Sequence, residues 1–294
     1  MTVNTQPALL ATSYAVFAAW KEAGGPTPEV MAGHSLGEYT ALTAAGVFSI
    51  EDAVRLVRFR ASAMQSAVPV GVGGMAAILG LSDEVVIDLC ANAAQGEAVE
   101  AVNFNCPGQV VIAGHKAAVE RACALALEAG AKRAVVLAVS APFHSTLLQP
   151  AADRLAEELA RTPMQEPTVA VVANVDVACH KSIDEIRAAL AKQAASAVLW
   201  TGCVKKMQEM VNIYVYGKKY SVPGDLTIMT AMEYAGYTLK RGCGCRHGFC
   251  GACATIYRIK GVNELKTCLA CQTQVQEGMY VASIPFFPTD KRTY

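Results

Sequence analysis

Two stretches of this 294-residue chain carry residue types spaced for chemistry. One is Gly33-His34-Ser35-Leu36-Gly37, a G-x-S-x-G pattern between the apolar run Val30-Met-Ala and an alanine-rich segment with helical character. Glycines on both sides of the serine relieve crowding at a sharp strand-to-helix turn, which presents the hydroxyl at the helix N-terminus. There the Leu36 N–H and the helix dipole can stabilise an oxyanion. The bare pattern should occur in roughly one chain in ten of this length, so the strand–turn–helix context gives it its weight. The other stretch is Arg241 to Cys253, "RGCGCRHGFCGAC", which holds four of the eleven cysteines in thirteen residues.

A nucleophilic serine needs a base, and the chain offers five histidines. His34 adjoins Ser35, and at such a turn the two side chains point apart. His115 opens a helix (116–129) as a solvated first-turn residue, His180 lies in a polar loop and His247 in the cysteine cluster. His144, in Val139-Ser-Ala-Pro-Phe-His-Ser145, follows an apolar strand at the kind of strand end where α/β catalytic residues collect, and is favoured by elimination.

Five cysteines (Cys90, Cys106, Cys123, Cys179, Cys203) are thinly spread and read as core thiols, whereas six (Cys243, Cys245, Cys250, Cys253, Cys268, Cys271) crowd into 29 residues. Without a secretory signal such crowding favours a metal or cluster site over disulfides. Two ligand sets compete. Cys250-x2-Cys253 and Cys268-x2-Cys271, fourteen residues apart, approximate a zinc ribbon. Cys245-x4-Cys250-x2-Cys253 with a distant fourth cysteine is the plant-type spacing for a [2Fe-2S] cluster. The second uses the x4 gap and accounts for Gly242, Gly244, Gly248 and Gly251, which let backbone N–H groups turn toward sulfur. His247 does not support Rieske ligation, which needs two histidines.

Composition narrows the classes. With 53% hydrophobic residues, 17% charged and a net charge of zero, the chain is neither disordered nor a nucleic-acid binder. It has no apolar run of the roughly 18 residues that span a bilayer. Residues 7–20 predict a buried helix, not a signal peptide, since no Lys or Arg precedes them. A cytoplasmic protein is expected.

The elements that must position these residues follow. Residues 74–80 (strand), 82–94 (helix capped by Ser82), 98–103 (strand), 109–113 (strand after an Asn105–Gly108 turn), 116–129 (helix) and 133–139 (strand) form β-α-β-β-α-β. That predicts a ferredoxin-like subdomain, about 70–140, inserted into an α/β core. After residue 210 the pattern changes: strand 211–216, a turn at Gly217-Lys218, strand 219–222, a helix 226–235 capped by Asp225, and strands 254–260 and 272–276, a β-grasp. Domains of 1–210 and 211–294 are expected.

"TQPAL", "AGHSLGEYTAL", "DAVRLVRFR", "GGMAAILGL", "NFNCPGQVVIAGH", "AGAKRAVVLAVSAPFH" and "VVANVDV" together resemble the malonyl-CoA:acyl carrier protein transacylases of fatty-acid synthesis over about residues 3–210. The resemblance implies an α/β-hydrolase-like parallel-sheet core around the insertion. It implies Ser35 as nucleophile, His144 as base and then acid, Arg60 holding the malonyl carboxylate, Gln193 orienting the imidazole through its carbonyl, and Gln6 in the pocket. Malonyl-CoA and acyl carrier protein are the implied partners, with no cofactor for the transfer itself. The match omits the family's opening Gly-Gln-Gly-Ser loop, which supplies a second oxyanion donor, and its closing strand, turn and helix.

"GCRHGFCGAC" followed by "LACQT" resembles the [2Fe-2S] domains of plant-type ferredoxins, oxygenase reductases and the iron-sulfur subunit of succinate dehydrogenase, over about residues 211–294. By that match Cys271 joins Cys245, Cys250 and Cys253, leaving Cys268 and Cys243 as neighbours. A flavin or iron-sulfur redox subunit is the implied partner. An alternative reading is an iron-sulfur electron-transfer subunit with an inactive truncated acyltransferase part, or a fusion artefact.

Overall fold

A computed structural model describes residues 2–139, 141–208, 210–224, 226–239, 245, 247–283 and 288–290. It is a mixed α/β structure with parallel and antiparallel sheets, divided into two compact units, Met1–Lys205 and Lys206–Tyr294.

The first unit opens with α1 (Thr2–Glu22). The helix forms where the apolar run predicts it, but it is not buried. Apolar residues surround its axis without lining one side, so only Gln6 and Leu10 are buried, while Leu9, Val16 and Trp20 are 54%, 67% and 53% exposed. β1 (Val30–Ala32) turns sharply into α2 (Leu36–Ala44), and α3 (Ile50–Ser66) follows, its Ser49 cap accepting the Asp52 N–H at 3.0 Å.

The insertion then runs β2 (Gly73–Leu79), α4 (Asp83–Ala94), β3 (Val99–Cys106), β4 (Gln109–His115), α5 (Lys116–Glu128) and β5 (Arg133–Val136). This is the expected β-α-β-β-α-β order, closed as an antiparallel sheet β3-β4-β2-β5. Ser82 caps α4, as read from sequence. β3 runs three residues past the expected end because register shifts at Ala101/Asn103 and Phe104/Cys106 absorb the extra length, leaving Pro107-Gly108 as the turn. β5 stops at Val136, short of the expected 139. Ile78, Val86, Val110, Ile112 and Val119 form the core between this sheet and its helices.

α6 (Gln149–Arg161) and β6 (Ala170–Val172) return the chain to the first core. β6 pairs in parallel with β1, so the expected parallel sheet is two strands among the described residues. Helices supply most of that core, through Leu10, Tyr39, Leu56, Leu155, Leu159 and Leu190. α7 (Ile183–Gln193) starts on a capping box in which Ser182 and Glu185 bond reciprocally, and α8 (Trp200–Gln208) follows.

In the second unit β7 (Met210–Val215) and β8 (Lys218–Pro223) form the expected hairpin. Its turn is Tyr216-Gly217, not Gly217-Lys218. Both turn residues have positive φ, 50° and 77°, as a two-residue turn matched to strand twist requires. α9 (Ile228–Tyr234) begins two residues later than expected because Thr227 accepts the Thr230 N–H at 3.3 Å; Asp225, the expected cap, lies outside the described residues. β9 (Tyr237–Leu239), β10 (Ala254–Ile259), β11 (Lys266–Leu269), β12 (Met279–Ser283) and β13 (Pro288–Asp290) complete the order. The main sheet is β11-β10-β12-β7-β8, antiparallel except for the parallel pair β12–β7, and β13 pairs with β9.

Residues 272–276 are not the expected strand. Val275 is their one buried apolar residue, and it is pinned by its N–H to Leu226 O at 2.9 Å beside a single bridge from Gln274 to Thr227. Among the described residues no helix is long and apolar enough to cross a membrane.

Candidate active site and cysteine cluster

Ser35 sits in the β1–α2 turn with φ 52° and ψ −106°, a conformation that non-glycine residues rarely adopt. The turn closes so tightly that a Cβ on Gly33 would run into the Gly37 backbone carbonyl. Asn174, fully buried just after β6, clamps it from the other side: its Oδ1 accepts the Ser35 N–H at 2.7 Å and its Nδ2 donates to Gly33 O at 2.9 Å.

Ser35 Oγ lies 2.8 Å from His144 Nε2, although the two are 109 residues apart in sequence. The other ring nitrogen, Nδ1, is 2.8 Å from the backbone carbonyl of Gln193. A carbonyl can only accept, so Nδ1 carries the hydrogen and Nε2 is left as the acceptor for the serine O–H. Burial, reinforced by the nearby Arg60 cation, pulls His144 down to about 3, so the ring rests neutral.

Arg60, 2% exposed on α3, brings the remaining expected residues together. One terminal nitrogen donates to Gln6 Oε1 at 2.7 Å, the other to Ser35 Oγ and Gln193 Oε1, each at 3.0 Å. Among the described residues its buried Nε has no hydrogen-bond partner. The guanidinium also lies 5.2 Å from the centre of the Tyr39 ring. Leu36 is the first residue of α2, so its N–H has no acceptor within the helix.

Two buried residues here had no role in the sequence reading. One is Asn174, and the other is Glu38, 2% exposed in the first turn of α2. Glu38 Oε2 accepts the Asn174 N–H at 2.9 Å and Gln193 Nε2 at 2.8 Å. Burial pushes this carboxyl up to about 7 against those bonds and the Arg60 charge. Both residues lie inside quoted motifs, "AGHSLGEYTAL" and "VVANVDV", and their signal was proximity to the serine turn: three positions after Ser35 for Glu38, and the end of a strand pairing with β1 for Asn174.

The other histidines have different partners. His34 faces Asn105 at 2.9 Å, away from the serine; His115 Nδ1 accepts the Ala98 N–H at 2.9 Å, so it is not simply solvated; His180 pairs with Asp176 at 2.9 Å. Of the dispersed cysteines, Cys90, Cys123 and Cys203 are core thiols, but Cys106 is exposed and Cys179 half-buried. A recess of about 630 Å³ beside Leu79–Ser82, Cys106–Gln109 and Lys132 contains none of the catalytic candidates.

In the second unit Cys253 and Cys271 Sγ lie 3.2 Å apart and buried, and the half-buried Cys268 packs against the same core. Cys245 Sγ accepts N–H groups from His247, Phe249 and Cys250 at 3.2–3.4 Å, and Cys250 Sγ accepts that of Cys245 at 3.3 Å. These bonds pull the Cys245 thiol down to about 6, toward the thiolate form that metals bind. Gly248 and Gly251 adopt positive φ, 83° and 66°, which lets the loop fold back on its sulfurs. The donor set therefore suits a thiolate-bound cluster, although among the described residues no three metal-binding side chains converge. Cys243 lies outside the described residues.

The profile of the "Acyl transferase domain" family matches residues 1–212, and that of the "2Fe-2S iron-sulfur cluster binding domain" matches residues 208–284. The malonyl CoA-acyl carrier protein transacylase of Escherichia coli (strain K12) is 54% identical over 218 residues, 74% of this chain and 71% of that protein. The crystal structure of an acyl-carrier-protein S-malonyltransferase from Burkholderia pseudomallei 1710b shares 58% identity at TM-score 0.69, covering 70% of this chain and 67% of that one. A solved type II PKS acyl-carrier protein in complex with its malonyl-transacylase matches at 51% identity and TM-score 0.70, covering 71% and 67%.

Proposed function

Because the chain belongs to the acyl transferase domain family, we propose that its first unit moves malonyl from malonyl-CoA to the phosphopantetheine thiol of acyl carrier protein through an ester on Ser35. The observation that carries this reading is Ser35 Oγ held between a neutral imidazole acceptor and a buried guanidinium. Ser35 Oγ attacks the thioester carbonyl as its proton passes to His144 Nε2. The C–S bond then breaks, and the sulfur leaves as coenzyme A after taking that proton. The carrier thiol reverses the sequence: it gives its proton to His144, attacks the ester and releases Ser35.

Leu36 N–H faces the developing oxyanion, and Arg60, oriented by Gln6 and Gln193, meets the malonyl carboxylate with a planar fork suited to it. On this reading the first unit has an α/β-hydrolase-like core with a ferredoxin-like insertion, and works in the cytoplasm. Intact mass after mixing with malonyl-CoA tests it. One malonyl adduct is expected in the wild type and none in Ser35→Ala; no wild-type adduct, or an unchanged one in the variant, refutes it.

For the second unit we propose a β-grasp domain in which Cys245, Cys250, Cys253 and Cys271 hold a plant-type [2Fe-2S] cluster. The cluster supplies one-electron chemistry, exchanged with a flavin or iron-sulfur subunit. The paired Cys253 and Cys271 sulfurs and the N–H groups aimed at Cys245 favour it. Visible absorption with two irons per chain is expected; a colourless protein with stoichiometric zinc ends the reading.

A further inference from the structure

Among the described residues no carboxylate lies within ion-pair distance of Arg60, so this buried cation has no direct counter-charge. The buried carboxylate that serves it stands one residue away. Glu38 Oε2 receives Gln193 Nε2 at 2.8 Å, and the opposite end of the same amide, Oε1, receives Arg60 at 3.0 Å. A guanidinium only donates and a carboxylate only accepts, so the two charges together dictate which way the amide faces. The arrangement also gives the guanidinium neutral acceptors, Gln6 Oε1, Ser35 Oγ and Gln193 Oε1, which a substrate carboxylate can outcompete more easily than a directly paired Glu.

We propose that Glu38 is a positioning residue for the acyl-transfer site: its ionised carboxylate, acting through the Gln193 amide, holds Arg60 against Ser35 and thereby sets the selection of acyl groups that carry a carboxylate. The inference rests on the acyl-transfer reading above. Of the three acceptors around Gln193 Nε2, Glu38 Oε2 at 2.8 Å is the shortest and the one that carries charge, with Ser35 O at 3.0 Å and Asn174 Oδ1 at 3.5 Å, so losing the charge loosens the amide that offers Oε1 to Arg60 without releasing it. The groups facing Glu38 are Arg60 from α3, Tyr39 on its own helix, Asp176 and His180 from the segment after β6, and Cys203 from α8. Burial holds His144 neutral and raises Glu38 to about 7, so the part of any fall in malonyl transfer near pH 7 that disappears in Glu38→Gln belongs to Glu38.

The test compares the full-length wild type with Glu38→Gln and Glu38→Asp, counting active sites by malonyl-adduct mass so that misfolded protein does not enter the rates. Glu38→Gln keeps an acceptor but loses the charge. It should raise the KM for malonyl-CoA about ten-fold, the scale of one charge-assisted hydrogen bond, with kcat nearly unchanged. It should also reduce discrimination between malonyl-CoA and acetyl-CoA to a similar extent and abolish the acid limb near pH 7. Glu38→Asp should recover part of each. Wild-type KM, discrimination and pH profile in Glu38→Gln would overturn the proposal, and a merely structural Glu38 would lower only the active fraction. Failure of the wild type to take up malonyl is a separate result, which removes the acyl-transfer reading and this one with it.

Discussion

At the residue scale, Arg60 and Asn174 separate two kinds of legibility. Gln6 and Arg60 lie in motifs that carried a family resemblance, Gln193 was implied by that resemblance, and the structure gathers all three around Ser35. Lysine at position 60 is a compact charge that cannot address Gln6, Ser35 and Gln193 at once. Arg60→Lys should therefore cut malonyl-over-acetyl discrimination by at least an order of magnitude, read from competing adduct masses. Asn174 and Glu38 went unseen because burial is not written in residue type, and a carboxylate in a helix's first turn ordinarily faces water. Asn174→Ala frees the Ser35 N–H and the Gly33 carbonyl in a buried turn. It should cost about 1–3 kcal/mol in urea unfolding and slow single-turnover acylation.

At the scale of elements, periodicity and turn chemistry made most of the insertion readable, since Ser82, the 3.6-residue pattern of α4 and the alternation of β2 and β4 point the same way. Misreadings arose where tertiary packing decided. An apolar run became the exposed α1, and an apparent strand at 272–276 became a loop anchored by one valine. The elbow between β1 and α2 is the least forgiving junction. Gly33→Ala should abolish the malonyl adduct and lower the yield of soluble protein, because the added methyl meets backbone that cannot yield. Gly217→Ala, with open space around it, carries only the left-handed penalty of about 1 kcal/mol, measurable as a small shift in unfolding midpoint.

For the whole molecule, each unit has its own core and its own reporter. Both tryptophans, Trp20 and Trp200, lie in the first unit, and visible absorption reports the second. Cys271→Ser should abolish the absorption and leave the Ser35 adduct intact. Two fully buried groups of the first unit, His144 and Glu38, oppose each other between pH 3 and 7. His144 falls from 6.5 to about 3 on folding, so within that window the unfolded chain holds the extra proton and stability rises with pH. Glu38 rises from 4.5 to about 7, so the folded chain holds the proton there and stability falls with pH. Tryptophan-monitored urea midpoints should climb from pH 3 to 4.5, level off to 6.5 and decline slightly toward 7. In Glu38→Gln they should go on climbing to 6.5.

The positive φ of both Ser35 and His144, 52° and 67°, bears on how such a chain changes over generations. Glycine at either position would relax the backbone, so selection for robustness alone would drift toward a sturdier, inert protein. Serine and histidine persist at these two positions only while acyl transfer is itself under selection.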